Sequence, residues 1–266
     1  MTDAIFSVID NVCVANRTYR LRLEGDARAM TAPGQFVMVS LPGFFLRRPL
    51  SVCDWDDAGL KLIYKVLGAG TDKLAQMRAG ESLTVLTGLG NGFDLTDPGL
   101  RPLIVGGGLG VAPMLALAKR LSRPTCVLGF QGAGDCFLVE ELTRAGARVI
   151  VSTVDGTLGV RGFVTDVLKA LTPAAPTAPT APAASTAPTI PTAPAALCPP
   201  FDRAYVCGPE PMLRAVHALY PAGQYSFEAR MGCGFGACMG CSRKTKSGFV
   251  RICKEGPVLP GEEILW

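Results

Sequence analysis

Apolar and polar side chains alternate over the first third of the chain. In Tyr19-Arg-Leu-Arg-Leu every second residue is apolar, the period of a strand with one buried face. Residues 35–41, 50–55, 60–66 and 82–86 carry further strand-like runs, with turn signals at Ala32-Pro-Gly and Asp56-Asp-Ala-Gly between them. Five or six short strands in this length predict a closed antiparallel barrel. A short helix over 71–77 interrupts them, with Thr71 as its N-cap.

From Pro102 the pattern changes. A buried strand at 103–105 is followed by a glycine run and an apolar helix over 114–121. Strands at 126–130, 149–153 and 204–207 then alternate with helices at 137–144, 162–171 and 211–219, which predicts a doubly wound parallel sheet. Residues 172–200 form a Pro-Ala-Thr tract without a charged side chain. Such a composition packs no core and is expected to be a disordered surface insertion, an interdomain linker being the alternative. The strand at 204–207 needs the preceding sheet as a partner, which favours the insertion. The expected organisation is a barrel over 1–98, an α/β part over 99–224 and a small lobe over 225–266.

Composition narrows the class. Hydrophobic content of 48% over 266 residues suits two or so globular domains, and a net charge of +4 is too small to argue for a nucleic-acid partner. No basic run precedes an apolar core at Met1-Thr-Asp-Ala-Ile-Phe-Ser, so no signal peptide is visible. The apolar stretch 103–118 is broken by glycines and Pro113 and reads as strand–turn–helix, not as a membrane span. A cytoplasmic protein without a membrane partner is expected. Six of the ten cysteines are scattered: Cys13, Cys53, Cys126, Cys136, Cys198 and Cys207 read mostly as buried, reduced thiols.

The other four cluster near the C-terminus, as Cys233-Gly-Phe-Gly-Ala-Cys238-Met-Gly-Cys241 with Cys253 following. Four, two and eleven intervening residues match the plant-type 2Fe–2S spacing. Gly232, Gly234, Gly236 and Gly240 let the backbone turn tightly and aim N–H groups at sulfur. A structural zinc would show two CxxC knuckles, and a disulfide needs an oxidising compartment. Between 229 and 254 stand Arg230, Arg243, Lys244, Lys246, Arg251 and Lys254 and no acid. Those cations would raise a cluster's potential or dock a partner, unless they are simply a solvated hairpin.

Four further motifs carry chemistry. Arg47-Arg-Pro-Leu-Ser51 starts a barrel strand; its arginine suits a pyrophosphate and its serine a flavin ring nitrogen, or the motif is a basic loop before an edge strand. Lys65-Val-Leu-Gly-Ala-Gly70-Thr71 places glycines before a helix, a phosphate site or an ordinary turn. Gly106-Gly-Gly-Leu-Gly110-Val-Ala-Pro113 departs from GxGxxG at Val111 but frees backbone N–H groups for a dinucleotide pyrophosphate, or simply makes a tight turn. Cys207-Gly-Pro-Glu-Pro-Met212 ends a strand where ligands of parallel sheets bind, or starts a helix.

In this order, and followed by the cysteine constellation, these motifs resemble the ferredoxin-reductase-type flavoproteins. Within them the chain is most similar to the electron-transfer subunits of class 1B dihydroorotate dehydrogenase, through Pro33-Gly-Gln-Phe, Arg48-Pro-Leu-Ser51, Gly70-Thr71, Asp155-Gly, Gly162-Phe-Val-Thr, Cys207-Gly-Pro and the Cys233 series. The resemblance covers all but the Pro-Ala-Thr tract. A second departure is the glycine-rich loop Gln131-Gly-Ala-Gly. It implies FAD held by Arg48, Pro49, Leu50, Ser51, Ile63, Tyr64, Lys65, Gly70 and Thr71, and a 2Fe–2S cluster on Cys233, Cys238, Cys241 and Cys253. NAD is expected at Gly106, Gly107, Gly108, Gly110, Cys207, Gly208 and Pro209. Ser51 would tune the flavin and Cys207 would border the nicotinamide. The implied partner is an FMN-containing catalytic subunit in a heterotetramer of two plus two. Electrons from dihydroorotate would then pass through cluster and FAD to NAD+, in pyrimidine biosynthesis.

No general base for an organic substrate is evident. The single histidine, His217, lies on a predicted helix and reads as a surface or packing residue. Proton abstraction therefore belongs to another chain. Two alternatives stand beside this reading: the small subunit of a ferredoxin–NADP oxidoreductase or sulfite reductase complex, and a zinc-stabilised interaction protein on a degenerate reductase fold.

Overall fold

The computed structural model describes residues 1–172 and 201–266; the Pro-Ala-Thr tract from Pro173 to Pro200, with Cys198, lies outside them. Strands β1 (Thr2–Ala15), β2 (Thr18–Glu24), β3 (Phe36–Val39), β4 (Arg48–Asp56) and β5 (Gly59–Lys65) precede helix α1 (Ala69–Ala75), and β6 (Ser82–Leu89) follows it. The six strands close into an antiparallel barrel in the order β1-β2-β5-β4-β3-β6. The alternation at residues 19–23 works as its period dictates. Leu21 and Leu23 are buried with Phe6, Val37 and Leu62, while Arg20 and Arg22 turn outward to Asp10 of β1.

β1 is the strand that the hydrophobic pattern hides. Phe6 and Val8 face the core, but Ile5, Ile9 and Val12 lie exposed on the other face, so the two-residue period is blurred. Thr71 also differs from expectation. Gly68 is the N-cap of α1, and Thr71 is the third helical residue. Its hydroxyl reaches back to accept the N–H groups of Leu67 and Gly68 at 2.9 and 3.2 Å.

The second half runs β7 (Pro102–Gly107), α2 (Met114–Ala118), β8 (Thr125–Phe130), α3 (Val139–Arg144), β9 (Arg148–Thr153), β10 (Val160–Arg161), α4 (Val164–Leu171), β11 (Arg203–Cys207), α5 (Glu210–His217) and β12 (Gln224–Ser226). The cysteine lobe adds the hairpin β13 (Ser242–Thr245) and β14 (Gly248–Arg251), then β15 (Val258–Pro260). One seven-stranded sheet has the order β10-β9-β8-β7-β11-β12-β15. Its strands are parallel from β10 to β12, and β15 closes the edge antiparallel to β12. Each of the four helices starts or stops inside its expected span, α4 beginning at Val164 and α5 ending at His217. α2 gives way after Ala118 to tighter i→i+3 bonds at Arg120 and Leu121. α3 starts two residues late because Leu138, its N-cap, sits at φ 63.

The three parts are packed together. One apolar cluster runs from Phe36 and Met38 of the barrel through Val105 and Val206 of the sheet to Cys241, Ile252 and Cys253. Barrel and sheet are also tied by ion pairs of Lys61 with Glu141, Lys65 with Asp135 and Asp54 with Lys119. Cys53, Cys126 and Cys207 are buried as expected of lone thiols, Cys136 is half-buried, and Cys13 is exposed on the outer side of β1. His217 packs edge-on to Tyr225 and Trp266. Trp266 Nε1–H donates to its Nδ1 at 3.0 Å, which leaves Nε2 to donate to the Gly261 carbonyl at 2.9 Å. Among the described residues no helix is long and apolar enough to cross a membrane.

Candidate functional site

Two cavities adjoin where the barrel meets the sheet, and Leu109 and Lys65 line both. The smaller, of about 250 Å³, gathers Arg48, Pro49, Leu50 and Ser51 from β4, Ile63, Tyr64 and Lys65 from β5, and Thr71 from α1. Antiparallel pairing puts β4 and β5 side by side, so segments separated in sequence line one wall. Gly70 is not in the wall but shapes it. A Cβ there would fall 2.2 Å from Arg48 Nε, so any larger residue would push the guanidinium out of its present place.

The two arginines of Arg47-Arg48 separate completely. Arg47 grips Asp3 of β1 through both terminal nitrogens at 2.8 and 2.9 Å. Arg48 lies over the Phe44 ring at 4.6 Å and lines the cavity. Tyr64 stacks on Tyr19 and donates its hydroxyl to Asn11 at 2.9 Å.

From the sheet side the same cavity receives Cys207, Ser226, Phe227 and Glu228. Cys207 ends β11 opposite Gly106 of β7, and burial pushes its thiol up to about 12. Glu228 is the one carboxylic acid in this wall; its side chain reaches the surface, yet partial desolvation raises it above the usual carboxylate range. The sequence reading passed over it. Its only linear signal is that it is the last acid before the acid-free stretch 229–254.

The larger cavity, of about 550 Å³, lies at the carboxyl ends of the parallel strands, where such sheets bind ligands. Gly107 ends β7 and Gly108 and Leu109 follow it, Gln131 follows β8, Val154 follows β9 and Pro209 follows β11. Gly106, Gly110 and Gly208 are outside both walls. Gly110 instead permits a close crossing, since its Cβ would meet the Cys207 carbonyl oxygen at 2.3 Å. The glycine-rich loop after β8 has a similar reason. Gly134 packs on Asn16, whose N–H donates to the Gly134 carbonyl at 2.8 Å, bringing loop and barrel hairpin together. Lys65 and Asp135, paired at 3.1 Å, are the charged residues of this wall.

The four clustered cysteines form two pairs. Cys233 stands with Cys238, and Cys241 with Cys253. The N–H groups of Ala237 and Cys238 point at Cys233 Sγ at 3.2 and 3.4 Å, and that of Cys253 at Cys241 Sγ at 3.4 Å. Gly234 and Gly236 take φ values of 80° and 91° to allow the turn. Burial disfavours the Cys233 thiolate, but N–H groups of Cys238, Phe235 and Ala237 and the Cys238 side chain outweigh it and bring the thiol down to about 6. Burial, then the Cys241 thiol, pushes Cys253 up to about 12. Among the described residues no three His, Cys, Asp or Glu side chains converge as they would round one ion. Two thiol pairs with N–H donors aimed at sulfur suit two irons bridged by sulfide. Of the six cations expected to line this lobe, Arg243 is paired with Glu210 and Arg251 with Glu255.

Comparison with known proteins bears on the same residues. Residues 228–265 match the iron–sulfur cluster binding domain of dihydroorotate dehydrogenase B. The dihydroorotate dehydrogenase B (NAD(+)) electron transfer subunit of Lysinibacillus sphaericus is 38% identical over 270 residues, spanning 95% of each chain. That of Listeria monocytogenes is 37% identical over 280 residues, spanning 99% of each. Among solved structures, an NADH-dependent reduced ferredoxin-NADP oxidoreductase superposes with a TM-score of 0.81 at 24% identity, over 98% of this chain and 90% of that one. The ferredoxin reductase of carbazole 1,9a-dioxygenase superposes with a TM-score of 0.59 at 19% identity, over 82% and 64%. These two likenesses concern the fold.

Proposed function

The chain belongs to the family of dihydroorotate dehydrogenase B (NAD(+)) electron transfer subunits, and from that membership we propose how its residues divide the work. It is an oxidoreductase subunit that uses FAD, a 2Fe–2S cluster and NAD and works with a catalytic partner subunit. We assign FAD to the smaller cavity, with Arg48 toward the pyrophosphate and Ser51 toward the ring, and the nicotinamide dinucleotide to the larger one, at Gly107, Gly108 and Pro209. Cys233, Cys238, Cys241 and Cys253 hold the cluster. The partner is an FMN-containing subunit in a two-plus-two assembly, and the three units of this chain are 1–98, 99–224 and 225–266, the last two tied by the β11–β12 pairing.

When bound, the flavin exchanges electrons singly with the cluster and in pairs with the dinucleotide. The chain supplies the surroundings. Leu109 and Lys65 bring the two dinucleotides to one shared wall, Cys207 closes the sheet side of the flavin cavity, and Glu228 places a carboxyl beside it. The observation that carries the reading is the meeting of Arg48 to Ser51, Ile63 to Lys65, Thr71 and Cys207 in one cavity, against the lobe of the four cysteines.

The test is copurification with the native partner and assay of NADH formation from dihydroorotate. Flavin and iron–sulfur absorbance with dihydroorotate-dependent NADH formation is expected. A colourless zinc protein, or copurification with a glutamate synthase-like or sirohaem protein, overturns the reading.

A further inference from the structure

Given the cluster and flavin sites assigned above, the two thiol pairs are not equivalent. Cys238 is exposed and Cys233 half-buried, whereas Cys241 and Cys253 are 5% and 2% exposed. The inner pair shares an apolar cluster with Phe36 and Phe227, and Ala229 and Met231 pack against it. All four of these residues also line the flavin cavity. Phe36 is moreover the register partner of Ser51. Side chains of one packed apolar cluster are therefore common to the inner thiols and the cavity wall.

One of these rings is clamped. The Arg243 guanidinium lies 4.0 Å over Phe227, and the Trp266 ring is 5.8 Å away at 45°. Arg243 is itself paired with Glu210 of α5 at 2.8 Å and lies two residues after Cys241 on β13. The hairpin that carries an inner ligand is thus fixed, through Arg243, to a ring in the cavity wall. Exchange of an electron across protein weakens steeply with any gap, and packed atoms couple better than a void.

We propose that Phe227, clamped by Arg243 and Trp266, is the spacer through which electrons cross between the Cys241–Cys253 side of the cluster and the flavin cavity. The Cys233–Cys238 side is left for the partner subunit. Each crossing oxidises one side by one electron and reduces the other by one. No proton accompanies it.

The experiment uses the full chain carrying both groups. The cluster is reduced by a light pulse, and the approach to equilibrium with the flavin is followed by transient absorbance. Phe227→Leu should slow this by about tenfold or more, as the packed ring contacts are lost, with the spectra and reduction potentials of both groups unchanged. Phe227→Met keeps the bulk without the ring and gives the same reading should the leucine variant lose a cofactor. Phe249→Leu, on the exposed hairpin strand, should leave the rate unaltered. In protein stripped of both groups, Phe227→Leu and Arg243→Gln should both shift Trp266 fluorescence. An unchanged rate in both Phe227 variants, with both groups bound, overturns the spacer. An unchanged Trp266 signal overturns the clamp. A chain that binds neither iron nor flavin would instead overturn the functional reading beneath them.

Discussion

Lys65 Nζ stands 3.1 Å from Asp135 Oδ1. Lys65 ends a barrel strand and lines both cavities; Asp135 follows a sheet strand and lines only the larger. The pair therefore crosses the seam between barrel and sheet and cancels the charge in the wall of the larger cavity.

Asp135→Asn should leave Lys65 free to meet a phosphate. The pair is partly exposed, so an effect of roughly 0.5–1 kcal/mol is expected, about two- to fivefold in affinity. KM for the nicotinamide dinucleotide should fall by that factor at low salt, and the gain should shrink as ionic strength passes about 0.15 M. A KM that does not move in dilute buffer would place the pair away from the ligand.

Arg251 secures the cysteine loop. Its Nη1 donates to the Gly236 carbonyl at 2.8 Å and its Nε to Glu255 at 3.0 Å. The Arg251 guanidinium brings the Glu255 carboxyl from 4.5 down to about 2. A depressed carboxylate contributes stability that is present above 4.5 and is lost as pH falls toward about 2. Arg251→Ala should bleach its iron–sulfur absorbance faster than the native chain in the presence of a chelator at neutral pH. The two rates should converge as the solution is taken down through that window. Equal rates at neutral pH would remove Arg251 from this role.

Glu228 has the opposite sign. Partial desolvation raises its carboxyl, so its contribution to stability is full below 4.5 and is lost as pH rises through the raised value. The thermal midpoint of the native chain should decline over that rise, and Glu228→Gln should be flat there. Parallel pH profiles would mean that another group is titrating.

Gly110→Ala drives a Cβ to 2.3 Å from the Cys207 carbonyl, backbone that cannot step aside. A cost of about 1–3 kcal/mol and lost dinucleotide binding are expected. At Gly68 a Cβ meets nothing within 4 Å. Gly68→Ala should cost under about 1 kcal/mol, the N-cap preference alone, and leave the dinucleotide bound. Thermal melts and dinucleotide titrations of the two variants separate a crowded glycine from an open one.

Much was already determined by the linear chain. The two-residue alternation at Tyr19 to Leu23 specifies a half-buried strand, and the spacing of Cys233, Cys238, Cys241 and Cys253 is that of the plant-type 2Fe–2S pattern. Both depend on neighbours in sequence. Tertiary structure decided everything that depends on which surface meets which. Arg47 and Arg48 are the same residue type side by side, yet one pairs with Asp3 and the other lines the smaller cavity. Glu228 is one acid among many until β12 places it beside Cys207. β15 is too short to announce itself and exists because β12 offers an open edge. The four cysteines differ in exposure only because Cys241 and Cys253 join the apolar cluster of Phe36 and Phe227. A side chain's period is written in its neighbours, whereas its burial, charge partner and cavity come from strands brought to it by the fold.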